Sequence, residues 1–488
     1  MKYIMDFVTP DYYLYFLPAV VFLTLGIASR KRRMQILILL VMSYLFFWFA
    51  SGWHILLLLI STCVDWTAGK KLSKSEDISY RKRWVKVSIL VNLSLLCVFK
   101  YIDFIIESIN FVSLRFDGSS SIESVGIALP VGISFYTFQT MSYTIDIYRK
   151  KQSPYDSFLD FACYAAFFPQ LVAGPIVRAD HFSSEIEQPL FTNSYRFRLG
   201  LTLIIYGIAK KLVIADNLAV HANSIFIEGD HLANIGLIWW ATLCFGIQIY
   251  CDFSAYTDIA IGSAYLIGVR LPENFKTPYA ATTPQDFWRR WHISLSTWLR
   301  DYLYIPLGGS RNGQRRLIFA LMMTMLLGGL WHGASWNFVL WGLVHGILLI
   351  VHRFGSKVVI IESFFNKTGR IGVLLSWLVT QYFVFFTWLI FRVEDIEVLL
   401  PSMKTFLGIG GHFDLHEMCD ALPEIKILTF SLAFGFILLH GLSGKLKGGK
   451  MWLARRHPLI WGVICGIMLT LAFHLRPAET IEFIYFRF

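Results

Sequence analysis

Two histidines of this 488-residue chain stand where an imidazole is costly. His332 lies in LLGGLWHGASWNF (326–338), a stretch apolar enough to enter a membrane, and His292 lies in WRRWHISLSTWLRDYLYIPLGG (288–309). Ionisable side chains at membrane depth are expensive and usually functional. Neutral imidazole is the usual side chain for moving a proton near pH 7, so general-base chemistry suits His332. Gly328, Gly329 and Gly333 leave room for a neighbouring backbone or a ligand, and Trp336, one turn on, is placed to pack beside the imidazole. Metal binding would need partners at ligand spacing. His345 and His352 share a face, but His345 lies well round the helix from His332, so no metal site is read here. On a helical projection His292 shares an apolar stripe with Trp288, Trp291, Leu295, Leu299 and Tyr302, opposite Arg289, Arg290, Thr297, Arg300 and Asp301. It reads equally as a packed histidine bonded to a backbone carbonyl.

Other polar groups interrupt apolar runs. IYCDFSAYTDIAIG (249–262) places Asp252 and Asp258 with Ser254 and Tyr256, and FFPQLVAGPIVRAD (167–180) breaks at Pro169 and Gly174-Pro175 with Arg178 just beyond. Broken helices bearing charge commonly line a substrate cavity; anchoring of a helix end is the other reading of Arg178 and Asp180. Cys251 reads better as a small buried apolar side chain than as a nucleophile. The seven cysteines contain no CxxC pair, which suggests neither a disulfide framework nor a zinc site.

The elements that position these groups belong to an all-α polytopic membrane protein. Residues are 56% hydrophobic and only 16% charged, against about 25% charged in a soluble protein. Candidate spans are 12–28, 34–50, 53–69, 84–102, 125–143, 158–174, 196–214, 233–250, 255–268, 316–333, 336–352, 371–391, 425–441 and 458–474. Several are short, so some must be tilted or re-entrant, and about eleven to thirteen crossings are expected. Residues 270–315 are too polar to cross, and Thr283, Pro284 and Asp286 make a helix start for an amphipathic helix lying against the membrane domain. The net charge of +11 is read as loop asymmetry and not as nucleic-acid binding. Basic clusters at 29–33, 70–83, 148–151, 311–316 and 445–456 would be cytoplasmic, with both termini and the loop 393–426 outside. The N-terminus lacks a signal-peptide pattern, so its first apolar run is read as retained. No linker separates a soluble part, and residues 1–488 are read as one membrane-embedded domain.

WRRWHISLSTWLRDYLYIPLGG, followed by LWHGASWNFVLWGLVHG (330–346), closely resembles the membrane-bound O-acyltransferase family. The resemblance is to the bacterial branch that acetylates exported polysaccharides such as alginate, or peptidoglycan. PVGISFYTFQTMSYTIDIYR (130–149), FFPQLVAGPIVR, QIYCDFSAYTDIAIG and the C-terminal FIYFRF look like the same branch. The resemblance implies a ring of tilted helices around a funnel and central tunnel in the bacterial cytoplasmic membrane. It implies His332 as the catalytic histidine and His292 as the second polar residue, with Trp288, Trp291, Trp331, Trp336, Asp252, Asp258 and Arg178 along the tunnel. Acetyl-CoA would be the donor substrate, with no resident cofactor, and Arg289, Arg290 and Arg300 would suit its phosphates. A separate extracytoplasmic transferase would complete delivery. The D-alanyl transferase branch for teichoic acids shares both blocks and stays open, as does a transporter or flippase, for which no inverted repeat is evident.

Overall fold

The computed structural model describes residues 7, 9–116, 121–171, 174–227, 232–355, 369–422, 426–443, 448–478 and 481–484. Both ends of the chain (1–6 and 485–488), whose outward placement was expected, lie outside these, as do the last four residues of FIYFRF. The architecture is all-α: among the described residues there is no strand, only the isolated pair Asn234–His412.

Among the described residues, six helical stretches have the length and composition of a membrane span: Arg32–Ser73, Ile78–Phe116, Ile235–Ile267, Trp336–Gly355, Arg370–Arg392 and Pro458–Leu475. This is a multi-pass membrane protein. The first stretch is broken at Gly52, whose φ of 61° and ψ of −131° suit glycine alone. Each side of that break is about 30 Å of helix, the thickness of a hydrocarbon core.

The chain divides into two compact units, Met1–Ile204 with Thr257–Pro272, and Ile205–Tyr256 with Glu273–Phe488. In the first unit the helices Ile55–Ser73, Ile78–Leu96 and Ile133–Tyr148 pack on one another around buried polar side chains. Asp77 caps the second of these by accepting from the Ser79 and Tyr80 N–H groups. The expected break near Pro169 is present: the helix Phe158–Ala166 stops, and a single turn, Phe168–Leu171, follows. Neither is long enough to cross a bilayer.

Two sequence expectations change in the second unit and at its margin. Residues 233–250 and 255–268 are not separate spans but one helix, Ile235–Ile267. Its interior holds no proline, and its polar side chains are met sideways: Lys211 reaches Asp252, and Lys210 donates to Ser254. The expected amphipathic helix is also interrupted. Thr283 caps its start by accepting from the Asp286 N–H, with Pro284 in the first turn, as anticipated. At Trp291–His292 the helix stops, His292 takes a left-handed conformation (φ 41°, ψ 57°), and a new helix runs Ile293–Leu299. A projection at 100° per residue therefore does not describe the side chains beyond Arg290.

The WHG block forms the junction of two helices, Gly313–His332 and Trp336–Gly355. Gly329 admits the close approach of a neighbouring backbone, one of the two readings its sequence allowed. A Cβ on Gly329 would lie 2.2 Å from the Phe338 carbonyl oxygen and 3.2 Å from Gly342 Cα, and one on Gly342 would lie 2.4 Å from the Met325 oxygen. Small residues allow this close crossing of apolar helices, where dispersion is the main attraction. Gly329→Val is expected to force the pair apart at a cost of about 1–3 kcal/mol or more. A fall in the thermal-unfolding midpoint in nanodiscs checks this; an unchanged midpoint would refute the packing role.

Candidate active site

His332 is the last residue of its helix, and Gly333 continues in extended conformation (φ −158°). The i, i+4 relation to Trp336 therefore does not exist, and Trp336 is 60% exposed. The ring beside His332 is instead Trp341, with centroids 5.1 Å apart in an edge contact, together with Phe391 at 5.5 Å. Asn337 holds this arrangement by donating to the Ile390 and Phe391 carbonyls, each at 3.3 Å. That ties the helix after the WHG block to the helix Arg370–Arg392. Both His332 and Trp341 are buried.

His292 is fully buried. Its position is set by Asn274, eighteen residues earlier, which sequence reading missed. The Asn274 side-chain oxygen accepts from the Ser294 N–H at 3.1 Å and the Ser294 hydroxyl at 2.9 Å, and it lies 3.3 Å from His292 Nδ1. The Asn274 carbonyl also accepts from the Ile293 N–H at 2.9 Å. Asn274 thus satisfies the amides freed where the helix restarts, Ser294 through its side chain and Ile293 through its carbonyl, and it stabilises a left-handed histidine that would otherwise be strained by about 1–3 kcal/mol. Phe253 packs edge-on to the imidazole at 4.8 Å.

The two histidines share one neighbour. The Trp331 ring lies 5.9 Å from His292 and 5.1 Å from His332. Around them stand Trp291 against Trp388 (4.7 Å), Trp288 against Trp341 (5.7 Å), and His345 against Trp341 (4.6 Å) and Trp288 (5.1 Å). His345 and Asn337 belong to this cluster although neither was singled out as a site residue. Among the described residues, the indole N–H groups of Trp288, Trp291 and Trp341 and both ring nitrogens of His345 are buried without a hydrogen-bond partner. Each such group costs about 1–3 kcal/mol, which a site meant to receive polar atoms of a substrate recovers on binding.

The remaining candidates are placed differently. The Asp252 carboxylate is taken up within the second unit, 3.0 Å from Lys211 Nζ and accepting from the Ile484 N–H at 2.8 Å. Lys211 also reaches Asp216 at 2.8 Å and donates to the Ile481 carbonyl at 2.8 Å. Arg178, at the N-terminus of the helix Ala179–Ile186, and buried Asp258 belong to the first unit. Arg289 is exposed. Arg290 is bound to Asp286 at 2.9 Å, and Arg300 to Asp301 at 2.8 Å.

Comparison with known proteins identifies the family. The profile of MBOAT, the membrane-bound O-acyltransferase family, matches residues 54–393, a stretch that includes parts of both units and both histidines. The chain is 36% identical over 429 residues to the protein named "Probable alginate O-acetylase AlgI" of Pseudomonas aeruginosa, covering 88% of this chain and 79% of that one. It is 35% identical over 445 residues to the peptidoglycan O-acetyltransferase of Helicobacter pylori, covering 82% of each. A teichoic acid D-alanyltransferase of Bacillus subtilis is 28% identical over 283 residues, 54% of this chain and 68% of the relative. The chain belongs to the membrane-bound O-acyltransferase family and is an acyltransferase, which removes the transporter reading.

Asn274→Ala is expected to lower turnover about 10–100-fold with little change in KM, since it frees the turn carrying His292 without touching substrate. Asn274→Asp, which keeps the accepting oxygen, should recover part of the loss; equal loss in both variants would remove the positioning role. Burial also pulls the His292 imidazole from its ordinary 6.5 down to about 3. A folded value below the unfolded one means this group's contribution is fully present above pH 6.5 and fades as the pH falls toward 3. His292→Asn should therefore show a shallower acid-side loss of unfolding temperature than the wild type; parallel curves would contradict it.

Proposed function

We propose that the protein takes an acetyl group from acetyl-CoA on the cytoplasmic side of the bacterial cytoplasmic membrane and passes it outward for O-acetylation of an exported polysaccharide or peptidoglycan. The whole chain acts as one catalytic domain. The observation that carries the site assignment is the Trp331 ring in contact with both His292 and His332 inside a buried aromatic cluster. Acyl transfer from a thioester to a hydroxyl requires a base, a hold on the oxyanion and exclusion of water. His332 accepts the proton of the attacking hydroxyl. That oxygen forms the new bond to the acetyl carbon, the carbon–sulfur bond breaks, and CoA leaves as the thiol. His292 and the buried indole N–H groups of Trp288, Trp291 and Trp341 are the donors available to the thioester carbonyl, and the surrounding rings keep water away.

The acetyl reading is favoured over D-alanyl by the similarity itself. The acetylating relatives match over four-fifths or more of this chain at 35–36% identity, whereas the D-alanyl relative matches about half at 28%. Exposed Arg289, beside Arg290 and Arg300, is the candidate contact for CoA phosphates. An extracytoplasmic transferase is the partner that would receive the acetyl group, with basic loops cytoplasmic and both termini outside.

Purified protein in lipid nanodiscs, given acetyl-CoA and polysaccharide or peptidoglycan fragments, should release free CoA. His332→Ala is expected to lose about 10²–10⁴-fold in turnover while remaining folded and binding acetyl-CoA. Undiminished turnover in that variant would overturn the general-base role. Turnover with a D-alanyl thioester and not acetyl-CoA would move the substrate to the other branch.

A further inference from the structure

His345 is a buried imidazole with no role in the acyl-transfer steps proposed above. It lies one turn after Trp341 on the helix Trp336–Gly355, so the two rings share a face and meet with centroids 4.6 Å apart. Trp288, from the helix Pro284–Arg290, packs edge-on against both, 5.1 Å from His345 and 5.7 Å from Trp341. Phe287 backs the imidazole at 6.0 Å with its ring nearly parallel. The three polar rings carry two indole N–H groups and the two ring nitrogens of His345. Each of these atoms is buried, and among the described residues none has a hydrogen-bond partner. Rings this close could pair an indole N–H with an imidazole nitrogen, and they do not.

The chemistry of these nitrogens says what would satisfy them. An indole N–H only donates, and a neutral imidazole carries one N–H and one bare, accepting nitrogen. A metal ion would answer to the imidazole but not to the indoles. A secondary amide is the complement: its carbonyl oxygen offers two lone pairs and its N–H one donor. The pantetheine arm of CoA carries two such amides, the nearer one separated from the thioester sulfur by two methylenes. The position of the rings fits that order. Trp341 touches His332 at 5.1 Å as well as His345. Trp288 is partly exposed and is followed by exposed Arg289, the candidate contact for CoA phosphates. From the surface inward the protein presents a cation, then amide-complementary rings, then His332. The donor runs in the same sequence from phosphates through amides to thioester.

We propose that His345, with Trp288 and Trp341, holds an amide of the pantetheine arm and so sets how deeply the thioester reaches toward His332. The bare imidazole nitrogen accepts the amide N–H and the two indoles donate to its carbonyl oxygen, which leaves His292 and Trp291 to the thioester carbonyl. This assignment rests on the thioester donor proposed above.

The test gives the full chain in nanodiscs three acetyl thioesters: acetyl-CoA, S-acetyl-N-acetylcysteamine, which keeps the nearer amide, and S-ethyl thioacetate, which has none. Thiol release should show wild type preferring the amide-bearing short donor by about 10-fold in kcat/KM, and His345→Phe losing most of that preference. CoA affinity, read by calorimetry without turnover, should weaken by about 10-fold in His345→Phe and in Trp288→Phe. Phenylalanine replaces unpartnered polar atoms with an apolar ring of similar size, so His345→Phe should unfold at the wild-type temperature or above it. A lower unfolding temperature with unchanged CoA affinity would overturn the proposal and give His345 a structural role through buried water. An altered KM for the acceptor with an unchanged donor preference would overturn it too, placing the acceptor at these rings. Absence of thiol release by wild type from all three donors would count against the acyl-transfer reading itself. CoA affinity then decides the subsite alone, and equal affinity in wild type and His345→Phe overturns it.

Discussion

The amide of Asn274 is the constraint on which the catalytic geometry depends. A helix cannot be stopped and restarted inside packed apolar surroundings without new partners for its freed N–H groups. Asn274 provides them through its side-chain oxygen and its carbonyl. With those amides met, the chain can hold His292 in a left-handed turn and place it against Phe253 and Trp331. A continuous helix through residues 283–307 would have satisfied its own backbone and carried the histidine round on a fixed period. The interruption, and the one side chain that makes it tolerable, separates the position of His292 from the helical repeat.

Around this turn the protein uses aromatic surface in place of ordinary aliphatic packing. Rings of Trp291, Trp388, Trp341, Trp288 and Phe391 meet largely edge to face or tilted, the arrangements preferred by their quadrupoles. Indoles bring a donor along with their apolar area, so a dry wall can still offer hydrogen bonds. Leaving several of these donors unpaired gives up stability, and local inconsistency of this sort is what functional sites show in otherwise self-consistent folds. The stabilising side of the balance lies in places such as the Gly329–Gly342 crossing, where the two backbones pack closely.

Much of this was legible in sequence because some signals are local. The polytopic class follows from composition, the helix start at Thr283 from its cap and proline, and the break near Pro169 from proline's missing donor. The importance of the WHG histidine was suggested by an imidazole set in an apolar run. What escaped reading was non-local. Asn274 and His292 are eighteen residues apart with no period linking them, and Trp341 and Phe391 reach His332 through tertiary packing alone. The three glycines were read as leaving room for a backbone or a ligand; Gly329 meets neighbouring backbone while Gly328 and Gly333 face the Leu299 and Phe338 side chains, because sequence shows that something must come close but not what. Asp252 resembled a substrate ligand for the same reason: Lys211 and the Ile484 amide that occupy it lie 41 residues before it and 232 after it.

That last connection has a consequence for how the molecule is made. Translation delivers Asp252 and Lys211 long before Ile481 and Ile484, the residues whose backbone completes their polar shell. Until those late residues emerge, two aspartates share one lysine in an interior that has not closed over them. Without those two residues, Lys211 and Asp252 lack the backbone partners that complete their hydrogen bonds beside the long helix Ile235–Ile267.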